Sequence, residues 1–136
     1  HIDIDNFKQI NLNYSYTTGD EVLRQVAHIL DEYAKKNGAF VGRIGGEEFI
    51  ILLKDFAPAY AILEADSINK FIIGYEFETQ TELKLSITTS IGLSSSPDNG
   101  MNLVSLFKSA TEAQRRAKKL NSNSYYHANS LKHEAH

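Results

Sequence analysis

Two rhythms of apolar and polar residues alternate along this chain, and each change of rhythm marks a new element. Ile2-Asp3-Ile4 is short and β-branched, which predicts a buried central strand whose end delivers Asp3 and Asp5. Phe7 and Ile10 then stand three apart, so residues 7–13 read as a helix with one apolar face. Asn6 is placed to cap that helix, and Asp5 is read as a cap in the same way. Residues 14–18 are polar and irregular, and are expected to form a loop. From Gly19-Asp20 onward Val22, Val26, Ile29, Leu30 and Tyr33 recur at the helical period. Asp20 suits the N-cap of this second helix, Lys35 and Lys36 suit its C-terminal dipole, and Gly38 ends it.

The period then shortens to that of strands. Residues 40–53 hold two β-prone runs around Gly45-Gly46, the pattern of a hairpin. Pro58 fits the first turn of a third helix, with Ala61, Ala65, Ile68 and Ile72 as its buried face and an end near residues 71–74. Residues 75–79 and the long β-branched stretch 83–93 read as two strands, and Pro97-Asp98-Asn99-Gly100 as a turn. Leu103, Leu106, Ala110, Ala113 and Ala117 predict a last helix with a narrow face that packs close to the sheet, followed by an edge strand at 124–127. The order β-α-α-β-β-α-β-β-α-β predicts an α+β domain, a mixed or antiparallel sheet with helices against one face. Neither a Gly-x-Gly-x-x-Gly after a strand nor a Walker lysine motif is present, so phosphates are not expected on those loops.

Composition narrows the function rather than the fold. At 136 residues the chain is one domain, expected over 1–128, with 129–136 as a tail. His1-Ile2-Asp3 reads as a strand already under way, so material is expected upstream. The formal charge of −3 argues against a nucleic-acid partner, and the absence of cysteine is compatible with a reducing cytoplasm. No apolar run reaches the roughly 18 residues of a membrane span.

Glu47 and Glu48 follow the glycine pair directly, and alternation sends them to opposite faces, so they cannot share one task. Taken alone, a Gly-Gly hairpin with two solvated acids is more often plain structure than an active site. The odds change because three motifs occur in order: Asp3-Ile4-Asp5-Asn6-Phe7-Lys8 with Ile10-Asn11, then Gly19-Asp20-Glu21-Val22-Leu23, then Arg43-Ile44-Gly45-Gly46-Glu47-Glu48-Phe49. This arrangement resembles the GGDEF domain of diguanylate cyclases, and the likeness extends through residues 86–92 and fades within 110–123.

The resemblance implies a sheet like the palm of nucleotidyl cyclases and polymerases, mostly antiparallel and flanked by helices. It implies a homodimer that condenses two GTP into cyclic di-GMP and two pyrophosphates with Mg²⁺ or Mn²⁺, under an upstream sensory domain. The setting it implies is cytoplasmic, including the cytoplasmic part of a membrane-anchored receptor. Asp3, the Ile4 carbonyl, Glu47 and Glu48 carry over as metal contacts, and Glu47 as the catalytic carboxylate that helps remove the proton of the ribose 3′-hydroxyl. Asn6, Phe7, Lys8, Gly45, Gly46 and Lys118 carry over to the phosphates, with Asn11 and Asp20 on guanine, where a carboxylate accepts from N1–H and the exocyclic amine. By position alone Lys8 is an ordinary solvated lysine and Asp20 an N-cap. Metal activation of the hydroxyl ranks ahead of classical base catalysis, and the central expectation is that the carboxyl groups of Asp3 and Glu47 converge.

Departures from the pattern are specific. Leu12 replaces an aspartate, Ser15-Tyr16 a Gly-His pair, Thr111 an aspartate, and Ser122 an arginine that would clamp phosphate. They motivate the alternative of a catalytically impaired, GTP-binding or regulatory interaction module. A product-binding Arg-x-x-Asp is replaced by Lys36-Asn37-Gly38-Ala39, so no feedback inhibition is expected there.

Overall fold

The computed structural model describes residues 1–131, so most of the expected tail, from residue 132 onward, lies outside the described residues. Twelve elements follow one another. They are β1 (Ile2–Ile4), α1 (Phe7–Asn13), α2 (Tyr16–Asn37), β2 (Phe40–Arg43), β3 (Glu48–Leu52), α3 (Pro58–Ile73), β4 (Phe77–Glu78), β5 (Lys84–Leu85), β6 (Thr89–Leu93), α4 (Leu103–Leu120), β7 (Tyr125–His127) and a 3₁₀ turn (Ala128–Ser130). The main sheet runs β2-β3-β1-β6-β7, antiparallel except for the β6-β7 pair, and β4-β5 form a separate ribbon. β1 is therefore central, as its apolar pair requires.

Alternation along the strands sorts the two faces. Ile2, Ile4, Phe49 and Ile91 enter one core with Val22, Val26 and Leu30 of α2 and Ile68 and Ile72 of α3. Gly92 faces the other way, where any Cβ would overlap the backbone of Ala110 and Gln114. Helix α4 therefore lies directly on β6, its buried face made of Ala110, Ala113 and Ala117. Helices thus cover both faces, which corrects the expectation of one. The small-residue face of α4 needs a glycine opposite it, and that pairing spans the sheet's far side.

Three local expectations are corrected. Helix α2 starts at Tyr16, because the Ser15 hydroxyl accepts from Thr18 N at 3.1 Å and caps it, which leaves Asp20 inside the helix. Asn6 precedes α1 in the left-handed region, φ 56°, and its side chain caps nothing. The long stretch 83–93 breaks into β5 and β6, since Ser86 turns to Ile73 O and Thr88 to Asp5 before the chain joins the main sheet. Pro58 begins α3 and Gly38 closes α2 at φ 61°, as read from the sequence.

Candidate active site

Residues 1, 3 and 5 share a face of β1 by parity, and all three are polar and buried: His1, Asp3 and Asp5. That face looks at α4. Asp3 Oδ2 accepts from Lys118 Nζ at 2.6 Å and from Gln114 Nε2 at 3.3 Å, both on α4. Burial pushes the Asp3 carboxyl above its ordinary range, against the bond and charge of Lys118, while Glu48 pushes it up further and His1 acts against it. Asp5 does not cap α1. It accepts from Thr88 Oγ1 at 2.7 Å, Ser90 Oγ at 2.6 Å and Asn123 N at 3.0 Å, and so ties β1 to β6 and to the loop after α4.

The hairpin meets β1 at this same end. Register places Asp3 opposite Glu48, and Ile4 N donates to Glu47 O at 3.2 Å, so the end of β1 and the turn before β3 lie together. The side chain directly across from Asp3 is that of Glu48, because β3 starts there and cross-strand partners share a face. Glu47 stands at the last position of the turn and is half-buried. Arg43 closes the turn from below, donating from Nε to Gly45 O at 3.0 Å and from Nη2 to Gly46 O at 2.7 Å. A Cβ on Gly46 would meet open space, whereas one on Gly45 would come within 2.9 Å of Glu48 Oε2.

Whether a divalent cation suits this end can be judged from the oxygens. Asp3 Oδ1 is buried without a hydrogen-bond partner, a costly arrangement that a cation would relieve. Carboxylate and carbonyl oxygens are the donor type that Mg²⁺ prefers. Among the described residues no group of three or more acidic or histidine side chains is placed to hold a metal by itself. Any such ion here therefore completes its shell with backbone, phosphate or water oxygens, its usual habit.

The remaining candidates lie at the corner of α1 and α2. Lys8 and Asp20 are exposed, Phe7 is buried in the core, and the departures Leu12 and Tyr16 are 65% and 76% exposed. Asn11 Oδ1 is buried and unpartnered, and it abuts Gly19, where a Cβ would overlap it. An apolar groove of about 380 Å³, lined in part by Ile50, Leu52 and Leu103, reaches the polar cluster at His1 and Phe107 and includes none of Asp3, Glu47, Lys8 or Asn11. No described helix is long and apolar enough to cross a membrane.

Sequence reasoning missed His1 and Gln114, and read Thr111 only as a departure from the motif pattern and not as a contact of His1. The period-2 placing of His1 with Asp3 and Asp5 carried the first of these; nothing local to the chain carried the other two.

Comparison with known proteins agrees with this geometry. The family model "Diguanylate cyclase, GGDEF domain" matches residues 1–124. The chain is 33% identical over 127 residues to the signaling protein YkoW of Bacillus subtilis, covering 91% of this chain and 15% of that one. It is 39% identical over 98 residues to diguanylate cyclase A of Treponema denticola, covering 69% of this chain and 25% of that one. Among solved structures, the active GGEEF domain of a diguanylate cyclase from Vibrio cholerae superposes with a TM-score of 0.81 at 31% identity, covering 93% of this chain and 79% of that one. The chain thus spans a quarter or less of the length of these two curated relatives.

Proposed function

Because the chain belongs to the GGDEF family of diguanylate cyclase domains, we propose that it condenses two GTP into cyclic di-GMP with release of two pyrophosphates. The observation that carries the reading is the meeting of β1 and the Gly45-Gly46 turn, which sets Asp3 and its unpartnered Oδ1 opposite Glu48 and brings the backbone of Glu47 to Ile4. Asp3, the Ile4 carbonyl and Glu47 would hold a divalent cation, with Glu48 beside them. A bound Mg²⁺ or Mn²⁺ neutralises phosphate charge and makes the ribose 3′-hydroxyl more acidic. Glu47, half-buried beside open space at Gly46, takes up the hydroxyl proton.

The phosphates would lie over the backbone of Asn6 and Phe7 and the exposed Lys8, with Lys118 turning from Asp3 toward them. Asn11 and Asp20 would read guanine. Each 3′-hydroxyl attacks the α-phosphate held by the other protomer, so one site is half of the reaction and a two-fold homodimer supplies the rest. An upstream sensory segment in the cytoplasm would set that encounter, and Lys36-Asn37-Gly38-Ala39 would leave the reaction without feedback at that position.

One observation favours a second reading. Lys118 is spent on Asp3 at 2.6 Å and Ser122 supplies no cation, which suits a domain that binds GTP without turnover and acts as a regulatory module. The deciding experiment dimerises the domain through a fused coiled coil and supplies GTP and Mg²⁺. Cyclic di-GMP that vanishes in Glu47→Gln supports the cyclase, whereas saturable GTP binding without product supports the module.

A further inference from the structure

We propose that His1 is a positioning residue for the acid turn, holding the Glu48 carboxylate beneath Gly45 through Nε2 and anchoring it to α4 through Nδ1. Its effect on turnover rests on the cyclase reading; its effect on the turn does not.

The His1 side chain is only 2% exposed although it belongs to a polar face. Nε2 lies 3.0 Å from Glu48 Oε1, and Nδ1 lies 3.0 Å from Thr111 Oγ1. The Thr111 hydroxyl gives its own proton to Phe107 O at 2.8 Å, so its oxygen can only accept from the imidazole. Phe107 stacks on the ring with centroids 5.4 Å apart and planes at 21°. The ring is thus fixed in its plane, in its rotation and at both nitrogens.

Glu48 is otherwise free to move, with 39% of its side chain exposed. Held by His1, its other oxygen packs against the turn at Gly45, where any side chain would collide with it. Helix α4, His1, Glu48 and the glycine turn form one continuous contact. The threonine at 111 gives this contact its selectivity. An acid there would compete with Glu48 for the imidazole, whereas a hydroxyl already committed to Phe107 leaves Glu48 as the only carboxylate on the ring among the described residues. Immobilising Glu48 at the first position of β3 restrains its chain neighbour Glu47 at the end of the turn.

Two backbone bonds report the turn without any ligand: Ile44 N to Glu48 O at 3.0 Å and Ile4 N to Glu47 O at 3.2 Å. In His1→Phe, which keeps the stacked ring and loses both ring nitrogens, amide exchange at Ile44 and Ile4 is expected to quicken about tenfold, with Ile91 and Gly92 unchanged. His1→Gln, whose amide reaches where Nε2 does, is expected to restore slow exchange, and His1→Asn, which reaches only the Nδ1 position, is not. Should the β1 variants fail to fold, Glu48→Ala on the surface is expected to give the same rise. Unchanged exchange in His1→Phe or in Glu48→Ala, or equal rescue by Asn and Gln, overturns the proposal. In the dimerised protein His1→Phe is expected to lower kcat about tenfold with KM for GTP within about twofold, and Gln to recover it. A wild-type protein that makes no product removes the cyclase reading and leaves the exchange result to decide His1.

Discussion

The acid end of the sheet and the corner of α1 and α2, the two halves of the proposed nucleotide site, are built on opposite plans. At the acid end Asp3 is 7% exposed, and Lys118, Gln114 and His1 bind Asp3 or its neighbour Glu48. At the corner Lys8 and Asp20 stand in solvent and Asn11 has an unmet oxygen. Like charges were brought together in folding at the first place, and their desolvation is offset by Lys118 and by hydrogen bonds from the same chain. Under the proposed function the second place takes its polar partners from the bound nucleotide. Substitutions in the packing beneath the acid end should accordingly move stability and activity together, and those at the corner affinity alone.

The largest effect tests the acid end against its own stability. Asp3→Ala is expected to lower cyclic di-GMP formation by about 1,000-fold, or ~4 kcal/mol, since no other oxygen replaces Oδ1. The melting temperature should change little by comparison. The lost Lys118 bond is offset by relief of a carboxylate that burial holds above its ordinary pKa, and by the end of its repulsion from Glu48. A large loss of stability in a calorimetric melt would mean that Asp3 is a structural anchor first.

Two glycine-to-alanine changes sharpen the contrast. At Gly92 the new methyl group meets the backbone of Ala110 and Gln114, which cannot yield without lifting α4 from β6. Gly92→Ala is expected to cost about 3 kcal/mol in urea unfolding and to disturb Asp3 and Lys118 with it. At Gly19 the methyl group meets the Oδ1 end of Asn11 and, at 3.1 Å, the ring of Phe7, and a side chain can swing away. Gly19 is also inside α2, where alanine gains roughly 1 kcal/mol. Gly19→Ala is therefore expected to leave stability within about 1 kcal/mol and to raise KM for GTP about tenfold by displacing Asn11. Equal stability losses in the two variants would erase the distinction between the regions.

The same contrast explains what could be read from residues alone. Elements whose cause is local were legible: the β-branched centre of β1, the stripe Val22-Val26-Leu30, Pro58 at the head of α3, Gly38 behind α2. The meeting of β1 with the acid turn was legible too, because motif order carries it, although the residue across from Asp3 is Glu48 and not Glu47. Errors arose where a partner distant in sequence decides the outcome. Asp5 looks like a cap until Thr88, Ser90 and Asn123 are seen around it. The run 83–93 looks like one strand until it has to serve two sheets. The clamp on Glu48 depends on Thr111, 110 residues from His1, and no spacing along the chain announces it. Ser15 was missed for a smaller reason, since Asp20 offered an equally good cap one turn later.

The smallest expected effect asks how far the preordered side extends, because Asp5 draws the loop before β7 into it through Asn123. His127 at the end of β7 accepts from Asn129 N at Nδ1, 3.0 Å, and so carries its proton on Nε2, where it donates to Ser95 Oγ at 2.8 Å. Burial lowers its pKa from the ordinary value near 6.5, with Asp98 acting weakly the other way. In the window below pH 6.5 the unfolded chain binds the proton and the folded chain resists it, so the unfolded state holds more protons and stability falls as pH falls. His127→Gln removes that difference. Between pH 7.5 and 5.5 its melting temperature should drop less than that of the wild type, by about 3 °C. If the acid end is preordered as far as β7, the protection factor at Asn123 N, its exchange corrected for the intrinsic pH dependence, should fall with acid in the wild type and not in His127→Gln, while the protection factors of the α1–α2 corner stay unchanged in both. An acid response at the corner as large as that at Asn123 would show one cooperative unit where the structure presents two.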